Sequence, residues 1–269
     1  MLAELEERID PGVRQRVIVR QMETIPVLEA RLPGCFRAVF TTRVGGDSKG
    51  AFSSLNLNPR SEDDPVTVAQ NRARIADALD RRLVSPMQVH GLRVVGAAEY
   101  LQEKPGGPCD GLTLHPELDR GLAATLLFAD CVPVVLCSEV DMAVAHGGWR
   151  GILGGIVQQV GRAMIGAPAM AVIGPSIGPC CFTVGEEVAR GYARRFGQEV
   201  VLDPRQAGDS PRVDLWEAVM RGLEELGVRR EQVVNPRLCS GCNADLFYSY
   251  RREGPVTGRH ACVAWTAAT

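Results

Sequence analysis

Three residues with metal-binding side chains follow apolar runs in this sequence. His90 and His146 each end such a run and each precede a glycine, and Cys131 comes after another run, directly behind Asp130. Side chains at strand ends can converge on one edge of a sheet. A His-Cys-His set is a reasonable zinc site that leaves the fourth position open, and zinc lowers the pKa of a bound water to about 7. The pattern therefore indicates a candidate metal site at His90, Cys131 and His146.

The same atoms support a second interpretation, in which Cys131 is a nucleophile and His146 is its base. The two interpretations compete, because a zinc-bound thiolate is a poor free nucleophile. The three positions are far apart in the sequence, and no short metal motif such as HExxH is present. From the residues alone, the choice between metal ligand and nucleophile stays open.

Two arginines stand in glycine-bearing loops directly after predicted strands. Arg43 and Arg150 could each hold a phosphate or a carboxylate through two hydrogen bonds, or form a surface ion pair. The neighbouring Gly45-Gly46 and Gly147-Gly148 pairs fit neither GxGxxG nor the P-loop pattern. A nucleotide-cofactor fold therefore finds no support.

The other cysteines carry weaker signals. Cys239 and Cys242 form an isolated CxxC, for which we expect a structural or incidental role, because a zinc ribbon needs a second pair at suitable spacing. For the adjacent Cys180 and Cys181 we expect core packing, with a pocket-lining role as the alternative. The chain has nine cysteines, an odd number, and reduced thiols are the better expectation than a disulfide framework.

Strand-like and helix-like segments alternate along the chain without a repeat or a linker. We expect strands at 36–42, 123–128, 132–136, 142–145, 169–173, near 233 and at 262–265, and helices at 66–79, 152–164, 186–196 and 214–226. Residues 1–33 resemble a short helix and a strand that lead into the domain. The whole is interpreted as one α/β or α+β domain.

Composition excludes several classes of protein. With 45% hydrophobic and 23% charged residues, the chain is an ordinary globular one. Its 30 basic and 32 acidic residues argue against a nucleic-acid binder that works by gross electrostatics. No apolar run reaches the roughly 20 residues of a membrane span, and the charged start lacks a signal-peptide core. We therefore expect a cytosolic protein with no membrane and no nucleic-acid partner.

Ordered motifs along the chain add a resemblance to a known family. They are Phe40-Thr41-Thr42-Arg43, Ser54-Leu55-Asn56-Leu57, Gln88-Val89-His90-Gly91, Asp110-Gly111-Leu112, Ala129-Asp130-Cys131-Val132-Pro133, His146-Gly147-Gly148-Trp149-Arg150-Gly151, Gly174-Pro175 through Cys181, Ser249-Tyr250-Arg251-Arg252 and Thr257-Gly258-Arg259. Between about Phe36 and Trp265, this series resembles the YfiH-like, laccase-domain family. Two motifs depart from the usual pattern, one at Cys109 and Gly111 and the other at Phe182, and both departures could reshape a pocket.

The resemblance implies a fold and a metal site. The fold is a single α/β (α+β) domain in which mixed β-sheets form a sandwich-like core flanked by helices. Residues 34–269 would be the catalytic domain and residues 1–33 a lead-in segment. The metal ligands would be His90, Cys131 and His146. The family is also similar to the catalytic domain of the cytotoxic necrotizing factor toxins, where a Cys-His pair does the chemistry.

The family has been described as purine nucleoside phosphorylases with adenosine deaminase activity, polyphenol oxidases (laccases) and peptidoglycan editing factors. We expect the first activity, with zinc as cofactor, copper as an adventitious or alternative metal, and a nucleoside and phosphate as small-molecule substrates. The expected catalytic residues are Arg43 or Arg150 to hold phosphate and Asp110 or Asp130 as acid/base, with Asp130 also a candidate orienter of a ligand. Asn56, Gln88 and Trp149 are candidates for substrate contacts.

Three alternatives remain beside that expectation. One is an amidase that edits muropeptide precursors. Another is a laccase-like polyphenol oxidase, but the four histidines are too few for the type 1 and trinuclear copper sites of a multicopper oxidase. The last is a structural zinc protein, which would need a closed site with a fourth ligand and no pocket.

Overall fold

Most strands of the protein belong to two six-stranded sheets. The computed structural model describes residues 1–103, 107–202 and 209–267. The strands are β1 (Val17–Met22), β2 (Ile25–Ala30), β3 (Phe36–Thr41), β4 (Arg82–Val84), β5 (Val94–Gly96), β6 (Gly111–Leu114), β7 (Leu122–Phe128), β8 (Val132–Cys137), β9 (Met142–Gly147), β10 (Met170–Ile173), β11 (Val201–Leu202), β12 (Arg212–Val213), β13 (Val233–Val234) and β14 (His260–Thr266).

The first sheet has the order β1-β2-β3-β14-β7-β4, and the second has the order β13-β10-β8-β9-β6-β5. Both are mixed: β4 runs parallel to β7 in the first sheet and β5 parallel to β6 in the second, whereas β14 pairs antiparallel with both β3 and β7. β1 and β2, from the first 33 residues, form one edge of the first sheet. β11 and β12 form a separate pair.

Eight α-helices flank the sheets in the described part of the chain. They are α1 (Leu2–Arg8), α2 (Pro65–Leu79), α3 (Ala97–Glu103), α4 (Trp149–Gly154), α5 (Ile156–Ala163), α6 (Glu186–Phe196), α7 (Leu215–Glu224) and α8 (Tyr250–Glu253). The helices α1 and α3 add Leu5 and Tyr100 to the core between the sheets. Among the described residues, no helix has both the length and the apolar character to cross a bilayer.

Alternating apolar residues of the strands build a core on both faces of each sheet. Between the sheets, Phe40 and Phe128 of the first pack in one cluster with Val135 and Val144 of the second. A second cluster joins the outer face of β8, β9 and β10 to α4–α7, and a third joins the outer face of the first sheet to α2. The expected fold, mixed sheets in a sandwich flanked by helices, is confirmed.

Local sequence signals explain where the helices begin and end. α2 begins as expected after an acidic stretch, where the carboxylate of Asp64 accepts from the backbone N–H of Thr67 and Pro65 occupies the first turn. The single helix expected over 152–164 is wrong. Gly155, at φ +96°, divides it into α4 and α5, since a left-handed glycine ends one helix and lets the next begin at a new angle.

Candidate functional site

The three candidate metal donors meet where the chain crosses from one sheet to the other. Cys131 lies in the short connection between β7 of the first sheet and β8 of the second. His146 is near the end of β9, which pairs with β8 so that His146 faces Pro133. His90 comes from the loop between β4 and β5. Strands of both sheets therefore place the site.

The donor atoms are close enough to share one ion. One ligand atom from each of His90, Cys131 and His146 lies within 4.8 Å of the others. The Nε2 atom of His90 is 3.5 Å from the Sγ atom of Cys131, and the two imidazole centroids are 4.9 Å apart. The sequence expectation that these three residues converge matches this geometry.

A buried carboxylate orients this set. Asp110 is fully buried, and its Oδ1 atom is 2.8 Å from the Nδ1 atom of His146. Its carboxylate also accepts hydrogen bonds from the backbone N–H groups of Val89, His90 and Gly91 at 2.8–3.1 Å. Burial raises the pKa of Asp110, but these hydrogen bonds lower it more, so the group stays ionised. With Nδ1 of His146 bonded to the carboxylate, Nε2 is left for a ligand.

The backbone of the site is held in unusual conformations. His90 has φ +60° and Asp130 has φ +89°, in the left-handed region that non-glycine residues rarely adopt. Asp130 is fixed because Ser240 Oγ and the Arg251 backbone N–H donate to its two oxygens, both at 2.6 Å. Gly148 makes room for His90, since a Cβ there would lie 2.2 Å from the ring.

The thiol and the imidazoles polarise one another. Burial alone would raise the pKa of Cys131, but the facing His146 and His90 rings lower it to about 6. Burial would likewise lower the pKa of His146, and the sulfur of Cys131 with the carboxylate of Asp110 raises it to about 9. Metal-free protein is therefore expected to hold a thiolate next to an imidazolium, which is the ionised sulfur a metal requires.

This donor set fits a zinc ion. Two imidazoles and one thiolate are ligands zinc accepts, and three protein ligands are typical of catalytic sites with an open position. The Asp110–His146 pair matches the carboxylate–histidine arrangement that supports zinc ligands elsewhere. The same polarised thiol also suits a nucleophile, so the geometry is compatible with both interpretations of Cys131.

A cavity of about 750 Å³ opens over the three donors. This volume is within the range of small-molecule sites. Besides the donors, its lining combines cationic, aromatic and polar side chains: Arg60, Arg150, Arg251, Arg259, Trp149, Phe182, Tyr250, Asn58 and Gln88. The cavity is therefore equipped for an anion together with a flat apolar group.

Four of the remaining expected site residues lie at this cavity. Asp130, Gln88, Trp149 and Arg150 line it. The guanidinium of Arg150 stacks 4.2 Å above the Trp149 ring. Both polar atoms of the Gln88 amide bond the backbone of Leu127, with two hydrogen bonds of 2.8 Å. Gln88 therefore shapes the wall.

Three expected site residues lie outside the described lining of the cavity. Arg43 donates to Glu253 at 2.5 Å and to the carbonyls of Ser53 and Ala244, so its guanidinium is already engaged in a structural network. Asn56 is fully buried. It accepts from the backbone of Arg259, and thereby positions a lining residue without lining the cavity itself. Asp110, described above, supports His146 from behind.

Several cavity residues were missed by sequence reasoning. Arg251 and Arg259 line the cavity, as do Arg60 and Tyr250, and none had been given a role. A signal existed for three of them, because Tyr250, Arg251 and Arg259 stand in the closing motifs of the family resemblance. Arg60 stands in no motif, and its position depends on the fold of the 56–64 loop.

Comparison with known proteins places the chain in a family. Residues 37–267 match the model of the family described as multi-copper polyphenol oxidoreductase laccase. Purine nucleoside phosphorylase YlmD of Geobacillus stearothermophilus is 35% identical over 243 residues, which cover 82% of this chain and 87% of that protein. Purine nucleoside phosphorylase YfiH of Escherichia coli is 30% identical over 243 residues, 85% of this chain and 93% of that one.

A solved structure extends the likeness to the fold. The crystal structure of the Bacillus licheniformis hypothetical protein YfiH superposes with a TM-score of 0.81 at 29% identity, covering 92% of this chain and 98% of that one. The likeness therefore extends over most of the fold. The chain belongs to the multi-copper polyphenol oxidoreductase laccase family, the YfiH-like family to which its motifs pointed.

Proposed function

We propose that this protein is a purine nucleoside phosphorylase that also deaminates adenosine, with zinc held by His90, Cys131 and His146. The observation that carries the proposal is the position of the three donors in a cavity that arginines and aromatic rings also line. The names of the YlmD and YfiH relatives support the phosphorylase part. The donor set supports the zinc and the deaminase part.

Arginines supply the binding site for phosphate. Arg251 is fixed by hydrogen bonds from Nη1 to the carbonyl and hydroxyl of Thr183, and Arg259 by two from Nη1 to the carbonyls of Thr257 and Gly258. Arg150 packs on Trp149 through its flat guanidinium face. Planar guanidinium groups hold phosphate oxygens in pairs, and their edges remain suited to this when a face is stacked.

Aromatic side chains supply the binding site for the purine. Trp149 and Phe182 both line the cavity. The guanidinium carbon of Arg150 is 4.2 Å from the centroid of the Trp149 ring, and that of Arg251 is 5.1 Å from the centroid of the Phe182 ring. A purine base offers a flat face of the size that such rings stack on. Base and phosphate are thus held in adjoining parts of one cavity.

In phosphorolysis, an oxygen of phosphate forms a bond to C1′ of the ribose as the bond from C1′ to the base nitrogen breaks. The electron pair leaves with the base, and in the net reaction the proton of hydrogen phosphate goes to the base nitrogen. Holding both reactants in one cavity is the main contribution of the arginines and rings. A bound zinc ion would supply Lewis-acid chemistry beside Cys131, which is the chemistry that deamination at C6 of adenosine requires.

We assign positioning roles to the two aspartates expected to act as acid or base. Asp110 is fully buried and is held by four donors, so it orients His146. Both oxygens of Asp130 accept short hydrogen bonds, which leaves this carboxylate to hold the turn before Cys131.

The test is to incubate zinc-loaded protein with adenosine, with and without phosphate, and to identify products by chromatography. We expect adenine and ribose 1-phosphate only with phosphate, and inosine in either buffer. Arg150→Ala should raise the KM for phosphate by about tenfold or more, because a hydrogen bond to a charged group contributes about 1.5–3 kcal/mol. The matched control is Arg190→Ala, an exposed arginine of α6.

Absence of all these products, with zinc confirmed in the protein, would refute the nucleoside proposal. The next substrate to test would then be a muropeptide precursor, since a hydrolytic zinc site also suits an amidase. Copper-loaded protein assayed with a phenol measures the oxidase alternative in the same series.

A further inference from the structure

Four cysteines that the function above does not use come together in a second cluster. Cys180 and Cys181 follow the Gly/Pro-rich turn after β10, and Cys239 and Cys242 form the CxxC. One sulfur from each lies within 4.8 Å of the others, and Cys242 is 3.5 Å from both Cys180 and Cys181. We propose that this four-cysteine cluster is a structural zinc site, separate from the one at His90, Cys131 and His146.

The sulfur spacing fits four thiolates around one ion. Zinc–sulfur bonds of about 2.3 Å in a tetrahedron place the sulfurs about 3.8 Å apart. Distances of 3.5 to 4.8 Å bracket that value. A disulfide would bring two sulfurs to about 2.05 Å, and none of the four cysteines is in one. The tetrahedral arrangement of four sulfurs is typical of structural zinc.

The backbone around the CxxC is arranged to present sulfur to a cation. The carbonyl of Cys239 accepts from the backbone N–H groups of Cys242 and Asn243, which closes the turn and brings both sulfurs to one side. The backbone N–H of Gly178 donates to the Cys239 sulfur at 3.2 Å. Such a bond stabilises a thiolate. Two residues between the cysteines is also a usual ligand spacing in structural zinc sites.

Positive charge is placed on both loops that carry the cysteines. Four thiolates with one zinc ion leave a net charge of −2. Arg252 donates to the carbonyl of Gly241 within the CxxC, and Arg212 donates to the carbonyl of Pro179, next to Cys180, both at 3.1 Å. These guanidinium groups offset the remaining negative charge.

The zinc would join two loops that both hold Asp130. The backbone N–H of Ile177 donates to the Asp130 carbonyl, and Ser240 Oγ, inside the CxxC, donates to the Asp130 carboxylate. None of the four cysteines is among the described residues that line the cavity. The second ion therefore has no access to substrate, and it stabilises the wall beside Cys131. On binding, four S–H bonds break, four protons go to solvent and four zinc–sulfur bonds form, with no change of oxidation state.

Metal analysis of the full chain tests the proposal directly. After zinc loading and removal of excess zinc, elemental mass spectrometry should find about two zinc ions per wild-type chain. Cys239→Ser and Cys242→Ser should each retain about one, as should His90→Ala, and the pair His90→Ala with Cys242→Ser should retain none. Cys35→Ser, outside both sites, is the matched control and should retain two.

A spectroscopic measurement avoids any variant of the four cysteines. Cys131→Ser removes the only thiol of the other site, so sulfur-to-metal charge-transfer absorption after loading with Co²⁺ must then come from the four-cysteine cluster. We expect that absorption together with the strong visible bands of tetrahedral cobalt. Absence of the charge-transfer absorption and of the cobalt bands would overturn the proposal. So would a single zinc in wild type that Cys242→Ser retains, or a disulfide within the cluster found by mass spectrometry of the unreduced chain.

Discussion

Two groups of metal-binding side chains lie on either side of Asp130, and their surroundings differ. His90, Cys131 and His146 provide three donors at a cavity of about 750 Å³. The four-cysteine cluster provides four donors and lies outside the described lining of that cavity. The number of donors decides what an ion can do, because three leave a coordination position for substrate and four close the ion off.

The difference also extends to what surrounds the donors. Behind His146 stands the carboxylate of Asp110, which orients a ring, whereas the sulfur of Cys239 receives a backbone N–H from Gly178. An oriented imidazole keeps a ligand atom in place through repeated turnover. A backbone hydrogen bond to sulfur stabilises a permanent thiolate. The first arrangement therefore suits chemistry and the second suits folding stability.

The sharpest test of this contrast is a pair of single substitutions. His90→Ala should reduce kcat/KM for adenosine more than about 100-fold, beyond the effect typical of residues that only support a ligand. It should leave Tm within about 2 °C, because the folding free energy that zinc contributes comes mainly from sites closed by four ligands. Cys242→Ser should lower Tm by about 5 °C or more, since a structural ion contributes folding free energy. The opposite pattern in turnover assays and thermal unfolding would reverse the comparison.

A somewhat smaller effect is expected from the support of the first site. Asp110→Asn should weaken zinc binding there by about 10- to 100-fold, because it removes the charge that holds the His146 ring. Competition with a coloured chelator measures the affinity. Asp119→Asn is the matched control, since Asp119 is also buried and also accepts from backbone N–H groups, those of Ala98 and His115. Equal losses in both variants would contradict the orienting role.

Two glycines sharpen the comparison further. An Ala Cβ at Gly148 would lie 2.2 Å from the His90 ring, so Gly148→Ala should displace that ring and weaken zinc binding at the first site by about tenfold. An Ala Cβ at Gly241 would lie 3.1 Å from the Cys181 sulfur, which needs to give by only a few tenths of an ångström. Gly241→Ala should therefore change zinc binding less. Chelator competition on both variants ranks the two effects.

The last effect concerns a buried imidazole that has no thiolate or carboxylate partner among the described residues. Burial and the nearby guanidinium groups of Arg259 and Arg43 lower the pKa of His260 from 6.5 to about 3. His260 then binds a proton below about pH 6.5 in the unfolded chain but only below about pH 3 in the folded chain. The free energy of unfolding should fall as pH drops through this window, by at most about 1.4 kcal/mol per unit.

Urea unfolding of wild type and His260→Leu, at about pH 7 and about pH 4.5, measures this dependence. The variant should lose less stability than wild type over that interval, since the carboxylates titrate in both. Equal losses would mean that His260 is protonated in the folded protein.

Much of the fold was predictable because local signals agreed with the final packing. Asp64 and Pro65 marked the start of α2, and the apolar runs at 123–128 and 132–136 became β7 and β8. The break at Gly155 was missed, because the apolar periodicity continues through it while its backbone turns left-handed. The packing of α4 and α5 on the sheet sets the angle between the two helices, and no local sequence pattern predicts it.

The site was only partly predictable for the same reason. His90, Cys131 and His146 could be grouped because each follows an apolar run. Arg43 follows one too, but its strand, β3, carries it to Glu253 and away from the described lining of the cavity. The meeting of the adjacent cysteine pair with the CxxC was not predictable, since Cys239 comes 58 positions after Cys181. The β10–β13 pairing, continued by a bridge between Ser176 and Cys239, brings their loops together.

The position of β14 has a consequence for how the protein is made. This strand, the last element in chain order, lies in the middle of the first sheet, between β3 and β7. During synthesis, the edges of β3 and β7 that later pair with β14 stay unpaired while more than a hundred further residues are made. Because the connection that carries Cys131 starts from β7, the three donors are supported by a complete first sheet only after β14 has joined it.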